Sequence, residues 1–186
     1  MNGSSLRKGV NREMKKILIA TLVAVLALTG SVSLIAAAAG PVTPPASVIL
    51  RADGGADGEN VNVGSLDLSY DGTNLNVVFN TVDGWEMNET HLYVALAAPT
   101  KSSPGKFLNK HEALGGVITD PYSIQLAAGT YYIAAQAEVQ LDTGEVDGYG
   151  APIYRYESLW AEGSRFGKGS NWAMCFQVTL PTNGTP

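Results

Sequence analysis

The sequence predicts an all-β fold, an antiparallel β-sandwich of about seven or eight strands behind an apolar N-terminal leader. Three observations carry that prediction. Apolar side chains recur at every second position in several runs. Glycine and aspartate cluster between those runs, as turns require. No stretch beyond the leader holds an apolar stripe with helical spacing.

The leader comes first. Arg7, Lys8, Arg12, Lys15 and Lys16 form a basic start, Ile17 to Ile35 is uncharged and mostly apolar, and Ala36-Ala37-Ala38-Ala39-Gly40 supplies small residues for cleavage. Met14 offers a second start, with Lys15-Lys16 as a compact basic region. Export with cleavage near Ala38 to Gly40 is expected. The alternative is retention as a membrane anchor, because the run of about 19 residues reaches the length of a membrane-spanning helix. Residues 1–39 are therefore assigned to the leader, 40–47 to a proline-rich tether, 48–181 to the sandwich domain and 182–186 to a short tail.

Gly40-Pro41-Val42-Thr43-Pro44-Pro45 resists helix and reads as extended chain. Val48-Ile49-Leu50 is a short strand, followed by the loop Asp53-Gly54-Gly55-Ala56-Asp57-Gly58. From Val61 to Tyr70 the alternation runs in two phases, 61/63 and 66/68/70, so a bulge is expected at Gly64-Ser65. Asp71-Gly72 then separates this run from Leu75, Val77 and Phe79, which predicts a hairpin with a two-residue type I′ turn. His91 to Ala98 and Tyr122 to Leu126 are further strands, parted by an irregular loop from Pro99 to Asp120. Tyr131 to Leu141 places Tyr131, Ile133, Ala135, Ala137 and Val139 on one face, and Gly144 to Gly150 is an acidic turn. The last strand sets Trp172, Met174, Phe176, Val178 and Leu180 on one side.

Charge excludes one class of partner. From Gly40 onward, 7 Lys and Arg stand against 16 Asp and Glu, a formal charge of −9. Nucleic acid binding needs a cationic surface, so that partner is excluded. The single Cys175 has no internal disulfide partner, and in an apolar strand it reads as a small buried hydrophobe.

Several linked motifs resemble an exported, uncharacterised β-rich domain of bacterial and archaeal surface proteins. They are Trp85-(x)3-Glu89-Thr90-His91-Leu92-Tyr93-Val94, Pro104-Gly105-Lys106-Phe107 with His111-Glu112, and Tyr132-Ile133-Ala134-Ala135-x-Ala137. Glu157-Ser158-x-Trp160-x-x-Gly163-x-Arg165-Phe166 and Asn171-Trp172-Ala173 complete the set, which spans roughly Gly64 to Leu180. The resemblance implies a secreted β module attached to anchors or other extracellular domains, and it implies no activity. Gln136 is a departure, since that family often carries His there.

Two candidate chemistries follow from residue type. Glu89, His91, His111 and Glu157 are the kind of side chain that binds a divalent metal or moves protons, and Glu112 adjoins them. Hydrogen bonds that lock loops to strand ends are the simpler account. Asp53, Asp57 and Glu59, or Asp142, Glu145 and Asp147, would suit calcium as flexible oxygen ligands, although neither set follows the EF-hand spacing. Otherwise no cofactor is implied.

Tyr149, Tyr154, Tyr156 and Trp160 are the candidate ligand-binding residues, as a platform on which sugar rings stack, while Trp172 reads as core. There is no Gly-x-Ser-x-Gly and no recognisable Ser partner for either His. The expected function is thus a non-enzymatic secreted or cell-surface module that contacts an extracellular protein or glycan, with a carbohydrate-binding module as the alternative and a hydrolase behind both. A monomer is expected. Strand donation by Val48-Ile49-Leu50 to a neighbour's sheet edge, giving filaments, is the alternative assembly.

Overall fold

A computed structural model describes residues 34–35, 40–54, 59–166 and 172–182. Apart from Leu34 and Ile35 the leader lies outside the described residues, as do Asp57, Asn171, residues 183–186 and the side chains of Asp53 and Glu59. The described chain is all-β. Its strands are β1 (Leu34–Ile35), β2 (Ala46–Gly54), β3 (Glu59–Tyr70), β4 (Asn74–Thr81), β5 (Trp85–Ala95), β6 (Asn109–His111), β7 (Thr119–Gln125), β8 (Gly129–Val146), β9 (Pro152–Ala161), β10 (Ser164–Arg165) and β11 (Met174–Leu180).

Apart from β1, which pairs with β2 in parallel, the strands form an antiparallel sheet curled into a half-barrel, where the sequence pattern suggests two packed sheets. The reason lies in β8. At 18 residues it is long enough to carry β5 along one edge and, along the other, β11 followed by β9. From β9 the hydrogen bonding continues through β2, β3 and β4 to β7. Alternation reports only that one face is buried, which a curled sheet and a sandwich share.

Two bulges help the sheet to curve. Leu50 pairs with Gly64 and Arg51 with Asn62, so Val63 is the extra residue, one position before the expected phase break. Gly64 is required there, because a Cβ would lie 1.9 Å from the Asn80 carbonyl oxygen on β4. On β5 the extra residue is Asn88, between the Met87–Val139 and Glu89–Glu138 pairs.

The β3–β4 hairpin is present, with Tyr70 opposite Leu75, but its turn is displaced. The Asp71 amide donates to the Asn74 carbonyl at 3.2 Å, so the central residues are Gly72 and Thr73, and of these only Gly72 has a positive φ, 91°. That is the pattern of a glycine-first hairpin turn, type II′ rather than type I′. The Asp71 carboxylate explains the displacement: it accepts from the Thr73 and Asn74 amides at 2.9 and 2.6 Å, which fixes it ahead of the turn and holds its pKa below the usual carboxylate value. The double positive φ of a type I′ turn occurs instead at Asp83 and Gly84 (55° and 84°). There the chain turns a corner, since β4 goes on to pair β7 while β5 pairs β8.

The segment read as a tether is tied to the sheet. Val42 is buried, its amide donates to the Gln177 carbonyl at 2.8 Å, and its carbonyl accepts from the Thr179 amide at 2.8 Å. Val48-Ile49-Leu50 pairs within its own sheet, against β3.

The main core fills the concave face, with Leu50, Leu66, Phe79, Met87, Ile133 and Leu159 fully buried. A second cluster covers the opposite face of β5, β8 and β9: Phe107, Ala134, Trp160, Ala173 and Cys175, flanked by Tyr93, Tyr132, Phe166, Trp172 and Met174. Met174 therefore serves this cluster while Phe176, Val178 and Leu180 enter the main core, a split of the last strand that simple alternation did not foresee. Burial pushes the Cys175 thiol pKa up, away from the reactive thiolate.

Candidate functional site

Consecutive residues on a strand point to opposite faces, and this separates the two histidines. His91 pairs with Gln136, and Thr90 pairs with both His111 and Ala137. His91 thus lies on the outer face, and His111 lies with Thr90 on the inner one.

On the outer face His91 is 4% exposed. Its Nδ1 is 2.8 Å from Gln136 Oε1, while Gln136 Nε2 donates to Glu138 and to Ser158 Oγ, the latter at 2.8 Å. With the amide oriented in this way, Gln136 Oε1 is an acceptor and His91 Nδ1 carries the proton. His91 Nε2 faces Glu89 Oε2 at 3.9 Å. The result is a hydrogen-bonded row across three strands, closed over by the second hydrophobic cluster.

At the seam between β6 and β7, His111 Nδ1 lies 2.9 and 3.0 Å from the two carboxylate oxygens of the buried Asp120. The same carboxylate accepts from the Thr90 hydroxyl, which is 2.7 Å from the Tyr122 hydroxyl. The imidazole stacks on the Tyr122 ring with centroids 4.3 Å apart. Burial, reinforced by the Asp120 charge, pushes the Tyr122 pKa up to about 12. The order of groups is hydroxyl, carboxylate, imidazole. A nucleophilic triad needs the imidazole in the middle, so this set is built to hold the seam rather than to activate Thr90.

Glu157 joins neither histidine. It accepts from Arg155 Nη2 at 2.7 Å, and Arg155 in turn lies over the Trp85 ring at 5.6 Å. The structure therefore does not bring Glu89, His91, His111 and Glu157 together, and the described residues hold no group of three or more His, Cys, Asp or Glu placed to hold a metal. Glu112 pairs with Lys110 at 2.7 Å, which lowers its pKa. In the acidic turn, Asp142 accepts from the Gly144 amide, and Asp147 from the Tyr149 and Ala151 amides. The Ala151 and Tyr149 amides lower the Asp147 pKa. These two carboxylates order their own loop.

The aromatic candidates divide. Trp160 is buried, with its ring edge-on to Phe107 and Phe166 at 6.4 and 5.9 Å, so its faces are occupied by protein. Tyr149, Tyr156 and Tyr154 are 99%, 66% and 37% exposed. Tyr154 and Tyr156 lie towards the distal end of β9 and Tyr149 in the turn that joins it to β8, and this end of the hairpin, which runs on beyond the flanking strands, forms an arm. Tyr154 and Tyr156 stand side by side with ring centroids 6.4 Å apart. β8 lies between the Trp85–His91 stretch of β5 and the Glu157–Ala161 stretch of β9. Glu138 pairs with Glu89 on one side and Ser158 on the other, and Gln136 likewise joins His91 to Trp160.

Sequence reasoning missed a cleft of about 360 Å³ between Tyr93, Phe107 and the 97–106 loop, rimmed by Lys101 and Lys106. The clustering of Lys101 and Lys106 around Pro104-Gly105 in an otherwise acidic chain was its only trace. No family model, no curated protein and no solved structure matches this chain.

Proposed function

We propose that the chain is a non-enzymatic, secreted or cell-surface β module that acts in surface or matrix interaction, with the β8–β9 arm and the adjoining outer face of β5, β8 and β9 as its contact surface. One observation carries the reading. Of the nine large hydrophobic side chains exposed among the described residues, five (Val146, Tyr149, Ile153, Tyr154 and Tyr156) lie on this arm. Exposed aromatics concentrated on one projection mark an interaction site, because folding gains nothing from leaving them in water. The apolar leader and the motif resemblance to exported surface domains support the compartment.

The test is binding of the full chain to envelope and matrix material from the producing cells. Replacing Tyr149, Tyr154 and Tyr156 together by serine should abolish retention while leaving the melting temperature unchanged. Equal retention of parent and variant would remove the arm from the contact surface.

A further inference from the structure

We propose that the outer face of the arm binds an uncharged glycan chain, with Tyr154 and Tyr156 as the stacking surface and Gln140, Glu86 and Glu138 as the hydroxyl-binding groups. The inference rests on the module reading above and supplies its ligand class.

Register builds the surface. Glu86, Gln140 and Tyr156 are cross-strand partners in one row, Glu89, Glu138 and Ser158 form the next, and Asp142 stands opposite Tyr154. Directly paired residues of an antiparallel sheet point to the same face, so these side chains share one surface. The row His91, Gln136, Trp160 ends it, being buried under the second cluster.

The polar groups are fixed before any ligand arrives. Gln140 accepts from Asn88 Nδ2 at 2.9 Å and donates to Glu86 Oε2 at 3.2 Å, and Glu138 accepts from Gln136 Nε2. The surface is therefore a set of oriented amides and carboxylates beside two exposed rings. Preorganised polar groups next to aromatic faces suit a ligand that has hydroxyls on its rim and C–H groups on its flat sides.

Charge narrows the ligand further. Glu86, Glu89, Glu138 and Asp142 all occupy this face, whereas the arm's Arg155 lies on the other face over Trp85. A sulfated or uronic-acid polymer would be repelled. An apolar protein surface would bury carboxylates without counter-charge, which is strongly unfavourable. A basic peptide would answer the charge and can lay a cation over a tyrosine ring, but Lys and Arg side chains only donate, whereas the Gln140 amide offers a donor as well as an acceptor. Sugar hydroxyls, which both donate and accept, use all three features.

Affinity electrophoresis of the full chain through soluble neutral polysaccharides (a glucan, a mannan, a galactan and a xylan) tests the proposal, with alginate and polylysine as charged controls. Retardation by at least one neutral polymer is expected. Tyr154→Ala and Tyr156→Ala should each weaken it at least about tenfold, as truncation of a buried aromatic anchor does. Gln140→Ala should weaken it too, and unchanged melting curves would exclude misfolding as the cause. Retardation by none of the neutral polymers overturns the proposal, as does retention of the double tyrosine variant at the parent's strength or binding to polylysine alone. Tyrosine-dependent retention on envelope material without any neutral-glycan binding would sink this inference and leave the module reading standing. Loss of both would sink both.

Discussion

Replacing Gly64 by alanine should damage this fold more than any exposed substitution. The added methyl would sit 1.9 Å from the Asn80 carbonyl oxygen, 2.9 Å from its carbonyl carbon and 3.0 Å from Thr81 Cα, all backbone atoms of β4. Ordinary contact requires the two strands to part by more than about 1 Å at a point where Val63, Leu66 and Phe79 are fully buried. Overpacking of this kind costs about 1–3 kcal/mol, and losing a ladder hydrogen bond beside the bulge adds about 1 kcal/mol, so about 3 kcal/mol is expected. For a domain of this size that corresponds to a fall in melting temperature of about 6–12 °C. Urea unfolding and calorimetry of Gly64→Ala measure it, with Gly105→Ala as control, since a Cβ at Gly105 meets nothing within 4 Å. If Gly64→Ala unfolds within 1 kcal/mol of the parent, the close approach of β3 to β4 is not a constraint.

Gly72→Val should cost at least about 1 kcal/mol, because a β-branched side chain is strained at the 91° φ of this turn; an unshifted melting temperature would remove the turn assignment. His91→Ala should cost about 2 kcal/mol by leaving the buried Gln136 Oε1 without its donor. Glu89→Gln, at a site where the carboxylate is 44% exposed and 3.9 Å from His91, should change stability by under about 0.5 kcal/mol, and equal effects in urea unfolding would contradict the tautomer assigned here. Because the Tyr122 pKa is raised in the folded state, its neutral phenol stabilises the fold fully below about pH 10, and that contribution is lost as pH rises through about 12. The tyrosinate absorbance of the parent minus that of Tyr122→Phe should show a midpoint near 12, and a midpoint near 10 would mean that the Thr90 and Asp120 cluster does not enclose the ring.

The elements most legible in the sequence were those whose alternation meets only one buried face. Leu66, Leu68, Leu75, Val77 and Phe79 announced the β3–β4 hairpin because the other face of that pair is solvated. β8 was less transparent. Its first half is covered on both faces, so Ala134 and Gln136 are as buried as Ile133 and Ala135, and a period of two conveys half of the packing. The candidate histidines show the harder limit. Their residue types were visible, but which face each occupies depends on Thr90, rather than His91, standing opposite His111. Register of that kind is set between distant strands and leaves no local pattern. Trp160 failed as a platform residue for the same reason, since Phe107 reaches it from a loop remote in sequence.

The long central strand also bears on the order in which the chain can assemble. The β2–β3–β4 meander and the β8–β9 hairpin join neighbours in sequence, but Ala52 meets Leu159 more than a hundred positions later, and β5 reaches β8 only after β6 and β7 have been made. Loop closure on that scale is slow, and until β5 arrives the edge of β8 that β9 does not occupy presents unpaired backbone to any neighbouring chain. We expect amides of β3 and β4 to gain protection in pulse-labelled exchange before those of β5, with simultaneous protection contradicting this order. Wherever many copies fold close together, the chain is then most exposed to aggregation through the strand that later holds it together.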